Sequence, residues 1–196
     1  MDDRSKLCGV LFDEMSLDSR FILDKTVDKV YSSSHSQVAM VRGICKNWKQ
    51  PIYYEYDSPM TKSILLEIIH RLESIGLKVV CTTSDFGAEN QALWKNMGVN
   101  EVTTYFQNPF EHHRKIHVFA DVPHMLKLIR NHLIDDGFQI KGTTINASTL
   151  ETLINANGEE KKLCPALGPK LIQLTKAERM RVRRTVINHC KTDLTK

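Results

Sequence analysis

Asp13 and Asp85 are the two residues of this chain whose type and placement best suit catalysis. Asp13 closes the apolar run Leu7 to Phe12, which reads as a buried strand ending in a carboxylate. Asp85 follows Leu77 to Thr83, which reads as a central strand. If these two strands lie side by side in one sheet, both carboxylates reach the same sheet edge. Two acids that close repel each other unless a divalent cation or a shared proton compensates. Mg²⁺ prefers carboxylate oxygens, with waters and substrate phosphate completing its octahedron. The chemistry of such a site is phosphoryl transfer, one ion activating the attacking oxygen and a second stabilising the leaving one. An Asp at a strand end also serves as a plain turn or helix cap, and on spacing alone that role stands beside the metal one. Downstream of Asp85, Gly87 permits close approach of a backbone or ligand, and Asn90 is suited to orient a water or phosphate.

The elements that must position these acids alternate in an α/β pattern. Residues 7–56 read as an antiparallel meander: Leu7 to Phe12, a loosely alternating Phe21 to Tyr31, and the Val-, Ile- and Tyr-rich Gln37 to Cys45 with Pro51 to Tyr56. A helix is expected from Ser58-Pro59, with Ser58 as cap, an apolar stripe of Ile64, Leu65, Ile68, Ile69, Leu72 and Ile75, and Gly76 as its stop. The central strand follows, then a short helix Phe86 to Met97 ended by Gly98, a buried strand Ile116 to Ala120, and a helix from about Val122 to Asp136. The order β-β-β-α-β-α-β-α predicts hairpins followed by right-handed crossovers that add parallel strands. From residue 137 the composition shifts to Gly, Thr, Asn and Pro around one short helix, Ser148 to Asn155, and a boundary is placed near residue 140. A basic helix, roughly Thr175 to His189, follows.

Composition narrows the class. Hydrophobic residues at 41% and charged residues at 26% suit a globular domain and exclude disordered or collagen-like chains. No apolar run approaches the roughly 20 residues of a membrane span, and no secretory leader is read at Met1-Asp2-Asp3. Five scattered cysteines without a C-x-x-C pair suggest neither a disulfide framework nor a zinc knuckle, and point to a reducing, intracellular setting. The net charge of +4 is unevenly spread: residues 159–196 hold 10 Lys and Arg against 4 Asp and Glu. Such a tail suits nucleic acid or a phosphate-bearing ligand, and equally a solvated basic helix; Lys176, Arg179, Arg181, Arg183 and Arg184 lie on more than one of its faces.

Other polar groups are candidate sites. Asp121, His124, Lys127 and Asn131 fall within about 120° of one helix face, opposite Leu126, Ile129 and Leu133. This face suits phosphate contacts or simple solvation, with Asp121 as first-turn acid. Arg130 is expected to point away from that group, toward a neighbouring acid. His112, His113 and His117 near Glu111 do not converge on one ion by spacing. Trp94, central in a short helix, is read as core, and Trp48 as either core or a stacking platform.

Three segments carry a resemblance. Phe12-Asp13-Glu14-Met15-Ser16-Leu17, Ser84-Asp85-Phe86-Gly87-Ala88-Glu89-Asn90, and the run from Phe119-Ala120-Asp121-Val122-Pro123-His124 to Arg130-Asn131-His132 together resemble the P-element-type transposases in order and spacing. The resemblance covers about residues 7–140. It implies a ribonuclease-H-like integrase fold: a mixed five-stranded sheet, its first three strands antiparallel, flanked by helices, in a domain of residues 1–140. Residues 141–196 would begin a helical, GTP-binding insertion. It implies a DDE triad holding two Mg²⁺ ions, with Mn²⁺ as substitute, for DNA cleavage and strand transfer in the nucleus. Asp13 and Asp85 match the first two acids.

The third acid, a glutamate, is expected beyond Lys196; Glu151, Glu159, Glu160 and Glu178 match no such position. No counterpart of the family's zinc-dependent DNA-binding module or coiled coil is read before Asp13. The candidate nucleic-acid contacts are His124, Lys127, Arg130 and Asn131, and the implied partners are transposon ends, target DNA, GTP and a second copy of the chain. With two acids, little transposition is expected from this chain alone, since triad members act as a unit. The alternative is a non-catalytic, domesticated transposase derivative that binds DNA or protein. A phosphohydrolase using Asp13 as nucleophile is disfavoured, because Met15 stands where such enzymes usually carry a second acid.

Overall fold

The computed structural model describes residues 2–17, 21–26, 28–156, 168 and 172–180. Its contacts form two compact units, Met1–Asp121 and a second beginning at Val122. The sequence boundary near residue 140 thus falls inside the second unit.

The first unit opens with a 3₁₀ turn, Asp3–Lys6, and strand β1 (Leu7–Ser16). A hairpin of β2 (Phe21–Asp24) and β3 (Lys29–Ser32) follows, then β4 (His35–Gly43), β5 (Lys49–Tyr56), α1 (Lys62–Ser74), β6 (Lys78–Ser84), α2 (Ala88–Asn96), β7 (Tyr105–Gln107) and β8 (Lys115–Ala120). Six strands make one mixed sheet in the order β5-β4-β1-β6-β8-β7. β4 lies between β1 and β5 and antiparallel to both, while β6 adds parallel to β1 and β8 parallel to β6 through helical crossovers. This is the expected ribonuclease-H-like arrangement with two differences. Phe21 to Tyr31 is not a sheet strand but part of the separate β2-β3 hairpin. The sheet also gains a sixth strand, β7, antiparallel to β8 and too short for any periodicity to announce it.

The core lies between the sheet and α1. Cys8, Val10 and Phe12 project at period two from β1, beside Ala39 and Val41 of β4 and Val79 of β6, and meet Leu65, Ile68, Ile69 and Leu72 of α1. Burying each large aliphatic side chain contributes about 1.5–3 kcal/mol. The expected stripe therefore forms, except that Ile75 is exposed at the helix end. The helix also starts later than Ser58-Pro59 suggested. Thr61 is the N-cap, its Oγ1 accepting from Ile64 N at 3.3 Å and so satisfying one of the free first-turn amides. At the other end Gly76, at φ 88°, donates to Glu73 O while Leu77 N donates to Leu72 O, a Schellman closure that turns the chain into β6.

The second unit holds α3 (Val122–Asp135), a hairpin of β9 (Phe138–Ile140) and β10 (Thr143–Ile145), α4 (Ala147–Ala156) and α5 (Lys176–Met180). The hairpin, unread in the sequence, turns through Lys141 and Gly142, both at positive φ, as a two-residue connection with primed-turn twist requires. No helix among the described residues is long and apolar enough to cross a membrane.

Candidate active site

Strand pairing brings the two acids together. β1 and β6 run parallel, with Leu11 beside Thr83 as their last pair. Two residues further along each strand, that register carries Asp13 and Asp85 to the same sheet edge. Asp13 is not the end of its strand, as expected, but an interior residue. β6 leaves β1 after Leu11, whereas β4 stays paired with it as far as Ser16 and His35 and keeps the strand extended. Asp85 is the first residue past β6, where the chain turns into α2.

Both acids line one open cleft of about 310 Å³, together with Glu14, Ser16, His35, Gln37, Gly87, Ala88, Glu89 and Asn90. Asp13 Oδ1 accepts from Glu14 N at 2.9 Å. Asp85 Oδ1 accepts twice, from Gly87 N at 3.0 Å and from Asn90 Nδ2 at 2.6 Å. Asn90 therefore spends its amide on Asp85, not on the water or phosphate expected of it. Glu14, His35, Gln37 and Glu89 were missed in the sequence. His35 and Gln37 arrive from β4 through long-range pairing: Gln37 faces Glu14 and His35 faces Ser16. His35 Nδ1 lies 2.8 Å from Ser34 Oγ and 3.9 Å from Glu14 Oε1. The cleft lining is thus rich in oxygen donors and contains no cysteine, the set that suits a hard cation such as Mg²⁺ or Mn²⁺. Among the described residues, no group of three or more His, Cys, Asp or Glu side chains converges.

The remaining candidates fall elsewhere. Asp121 ends the first unit at the same sheet edge, its N–H donating to Ser84 O at 2.8 Å, but it does not line the cleft. His124, Lys127, Arg130 and Asn131 all lie on α3 in the second unit and are half-buried. Leu126 and Ile129, expected to face a core, are exposed instead, and no residue of α3 is buried. Arg130 does not point away from Asn131, as expected. Its Nη2 donates to Asn131 Oδ1 at 3.0 Å and to Arg179 O at 2.8 Å, while Arg179 pairs with Asp135. Helix α3 thus turns polar groups to its neighbours in the second unit.

Glu178 closes a capping box with Thr175 at the start of α5. Glu151 is exposed on α4, and Glu159, Glu160, Arg181, Arg183 and Arg184 lie outside the described residues. His113 and Arg114 both pair with Glu111, while His117 packs against Tyr105, so those histidines form no common site. Trp94 is half-buried, edge-on to the exposed Phe86 at 5.5 Å, and stands outside the core expected for it. Trp48 lies over Gly43 with its Nε1 buried and packs against the core, the first of its two expected roles.

Comparison with known proteins places this geometry in context. Residues 1–98 match the family model described as TNP-like, RNase H N-terminal domain. The chain is 40% identical over 156 residues to the Transposable element P transposase of Drosophila melanogaster, covering 79% of this chain and 21% of that protein. It is 29% identical over 112 residues to the human DNA transposase THAP9, covering 53% of this chain and 12% of that protein. Among solved structures it matches the Drosophila P element transposase strand transfer complex with a TM-score of 0.85 and 35% identity. That match covers 94% of this chain and 42% of that one. The chain therefore spans about a fifth or less of the length of these curated relatives.

Proposed function

The chain belongs to the family of TNP-like transposases whose RNase H N-terminal domain its residues 1–98 match, and on that premise we propose that it supplies two of the metal-binding acids of a P-element-type DNA transposase. The observation that carries this reading is the meeting of Asp13 and Asp85 in one oxygen-rich cleft at the edge of a ribonuclease-H-like sheet. Divalent Mg²⁺, bound there, would supply charge stabilisation for phosphoryl transfer on DNA. The chain's own part is to hold two carboxylates side by side, Asp13 within β1 and Asp85 just past the neighbouring β6, before α2. Glu14 and Glu89 add negative charge to the rim, which favours a cation and disfavours an unescorted phosphate. DNA cleavage and joining are the activity we infer for a full-length transposase carrying this segment, and a nuclear setting goes with that substrate.

Titration with Mn²⁺, followed by its electron paramagnetic resonance, tests the site. Wild type binds, and Asp13→Ala and Asp85→Ala each weaken binding at least tenfold. Unchanged binding in both variants overturns the metal reading. In a full-length protein carrying this segment, either substitution should lower DNA strand transfer by about 10⁴-fold, as for members of a cooperative catalytic unit. Retained cleavage would place the catalytic acids elsewhere. Residues 141–196 are read as the start of a GTP-binding insertion, which equilibrium dialysis of the full-length protein with GTP tests. Sedimentation of the same protein with and without transposon-end DNA tests self-association.

A further inference from the structure

Resting on the metal reading of Asp13 and Asp85, we propose that Asn90 is a positioning residue that aims the carboxylate of Asp85 at the cation. Asp85 sits between the last pair of β6 and the first turn of α2, a junction at which a short side chain has rotamers to choose from. The structure removes that choice. Gly87 N, two residues on, donates to Oδ1 in an Asx-type turn, and Asn90 Nδ2, from the first turn of α2, donates to the same oxygen. Because a carboxylate is acceptor-only, its partner in Asn90 must be the NH₂ group, which fixes the amide's orientation too. Oδ2 accepts no hydrogen bond among the described residues, and Asp85 lines the cleft. Oδ1 is thus tied to the start of α2, which leaves Oδ2 as the oxygen for the cation.

The glycine at 87 leaves room for this arrangement. A Cβ built on Gly87 would lie 3.1 Å from Asp85 Oδ1 and 3.6 Å from Oδ2, so a side chain at position 87 would crowd the carboxylate where it now sits. Donors that orient a metal-binding carboxylate typically account for about 10–100-fold in metal affinity. Asn90 touches no reacting atom in this scheme and acts only through Asp85.

The test uses the whole chain with Mn²⁺ as probe, comparing wild type, Asn90→Ala, Asn90→Leu and Asp85→Ala. Asn90→Leu keeps the side-chain bulk while removing both donors. Both Asn90 variants should bind Mn²⁺ about tenfold more weakly at an unchanged melting temperature. In metal-free protein, the Asp85 Hα–Hβ couplings, which report one rotamer in wild type, should become averaged in both. A purely structural role for Asn90 would lower the melting temperature and leave the couplings alone. Mn²⁺ affinity within twofold of wild type in both Asn90 variants, while Asp85→Ala abolishes binding, overturns the proposal and leaves the metal site intact. Unchanged binding in Asp85→Ala overturns the metal reading itself, and with it the cation that Asn90 would serve.

Discussion

Arg114 closes on Glu73, pairing its guanidinium with the carboxylate of a side chain that is only 2% exposed. Glu73 stands in the last turn of α1 and also accepts from Val79 N at 2.8 Å and from the fully buried Asn108 Nδ2 at 2.8 Å. Arg114 Nη1 returns to Val79 O, and its Nε pairs with Glu111. One ionic group thereby ties the end of α1 to the start of β6 and to the loop joining β7 to β8.

Removing one partner of this pair strands a buried charge. Arg114→Ala is expected to destabilise the first unit by about 3–5 kcal/mol, and Glu73→Ala by a similar amount. Urea denaturation of the two single variants and the double variant checks this. The double variant should be less destabilised than the two losses combined, because each single variant already forfeits the same pairing. Strictly additive losses would mean that the pair is not coupled.

The network shows where sequence reading stops. Glu73 is an acid at the end of an apolar stripe, and its side-chain partners Asn108 and Arg114 lie 35 and 41 residues away, beyond any local periodicity. The same limit hid His35 and Gln37, which reach the cleft only because β4 pairs with the far half of β1. Asp13, Asp85 and α1 were legible because their signals are local: an apolar run ending in an acid, and an amphipathic stripe closed by glycine. The face of α3 was misassigned because amphipathicity identifies a stripe without saying which side is covered. The half-buried side there carries His124, Lys127, Arg130 and Asn131.

Cysteine reactivity should sort by burial. Burial first, with Glu73 and Cys81 nearby, pushes the Cys8 thiol up to about 12, and burial also raises Cys81, whereas Cys45 is exposed. Among these three, iodoacetamide at pH 8 should label Cys45 first and Cys8 last, as peptide mass spectrometry can show. A thiol that ionises later in the folded state than in the unfolded one costs nothing below the unfolded value near 9.0. Above it the unfolded chain gains a thiolate that the folded chain does not, so stability falls from about pH 9 until the folded thiol ionises near 12. Cys8→Ala should flatten that alkaline decline in a plot of melting temperature against pH.

Asp57 closes the open end of β4 and β5 and so holds His35 in place. Its carboxylate accepts from the amides of Ser34 and His35, both at 3.1 Å. The Ser33 hydroxyl, then the His35 and Ser34 amides, lower its pKa below the ordinary value of 3.8. A depressed carboxyl contributes stability above the unfolded value, and loses it as pH falls through the folded one. The melting temperature of wild type should therefore exceed that of Asp57→Asn at neutral pH, and the gap should close below about pH 4. A gap independent of pH would assign the effect to shape instead of charge.

Gly87→Ala separates the fold from the site. Gly87 has φ −64° and ψ 156°, a conformation open to any residue, so alanine meets no backbone strain there. The added methyl instead meets Asp85, whose Oδ1 would lie 3.1 Å from it. Of the two groups, the carboxylate is the one free to yield, since Gly87 is fixed as the N-cap of α2 and Asp85 is held by side-chain hydrogen bonds alone. Rotation of Asp85 away from the methyl would cost about 0.5–1.5 kcal/mol in rotamer energy. It would also pull Oδ1 off Asn90. The melting temperature is therefore expected to shift by only a few degrees, while Mn²⁺ affinity falls about tenfold, in step with Asn90→Ala. Combining Gly87→Ala with Asn90→Ala should weaken binding little beyond either alone, because both act on the same carboxylate. Fully multiplicative losses would show that Gly87 and Asn90 serve the site by separate routes.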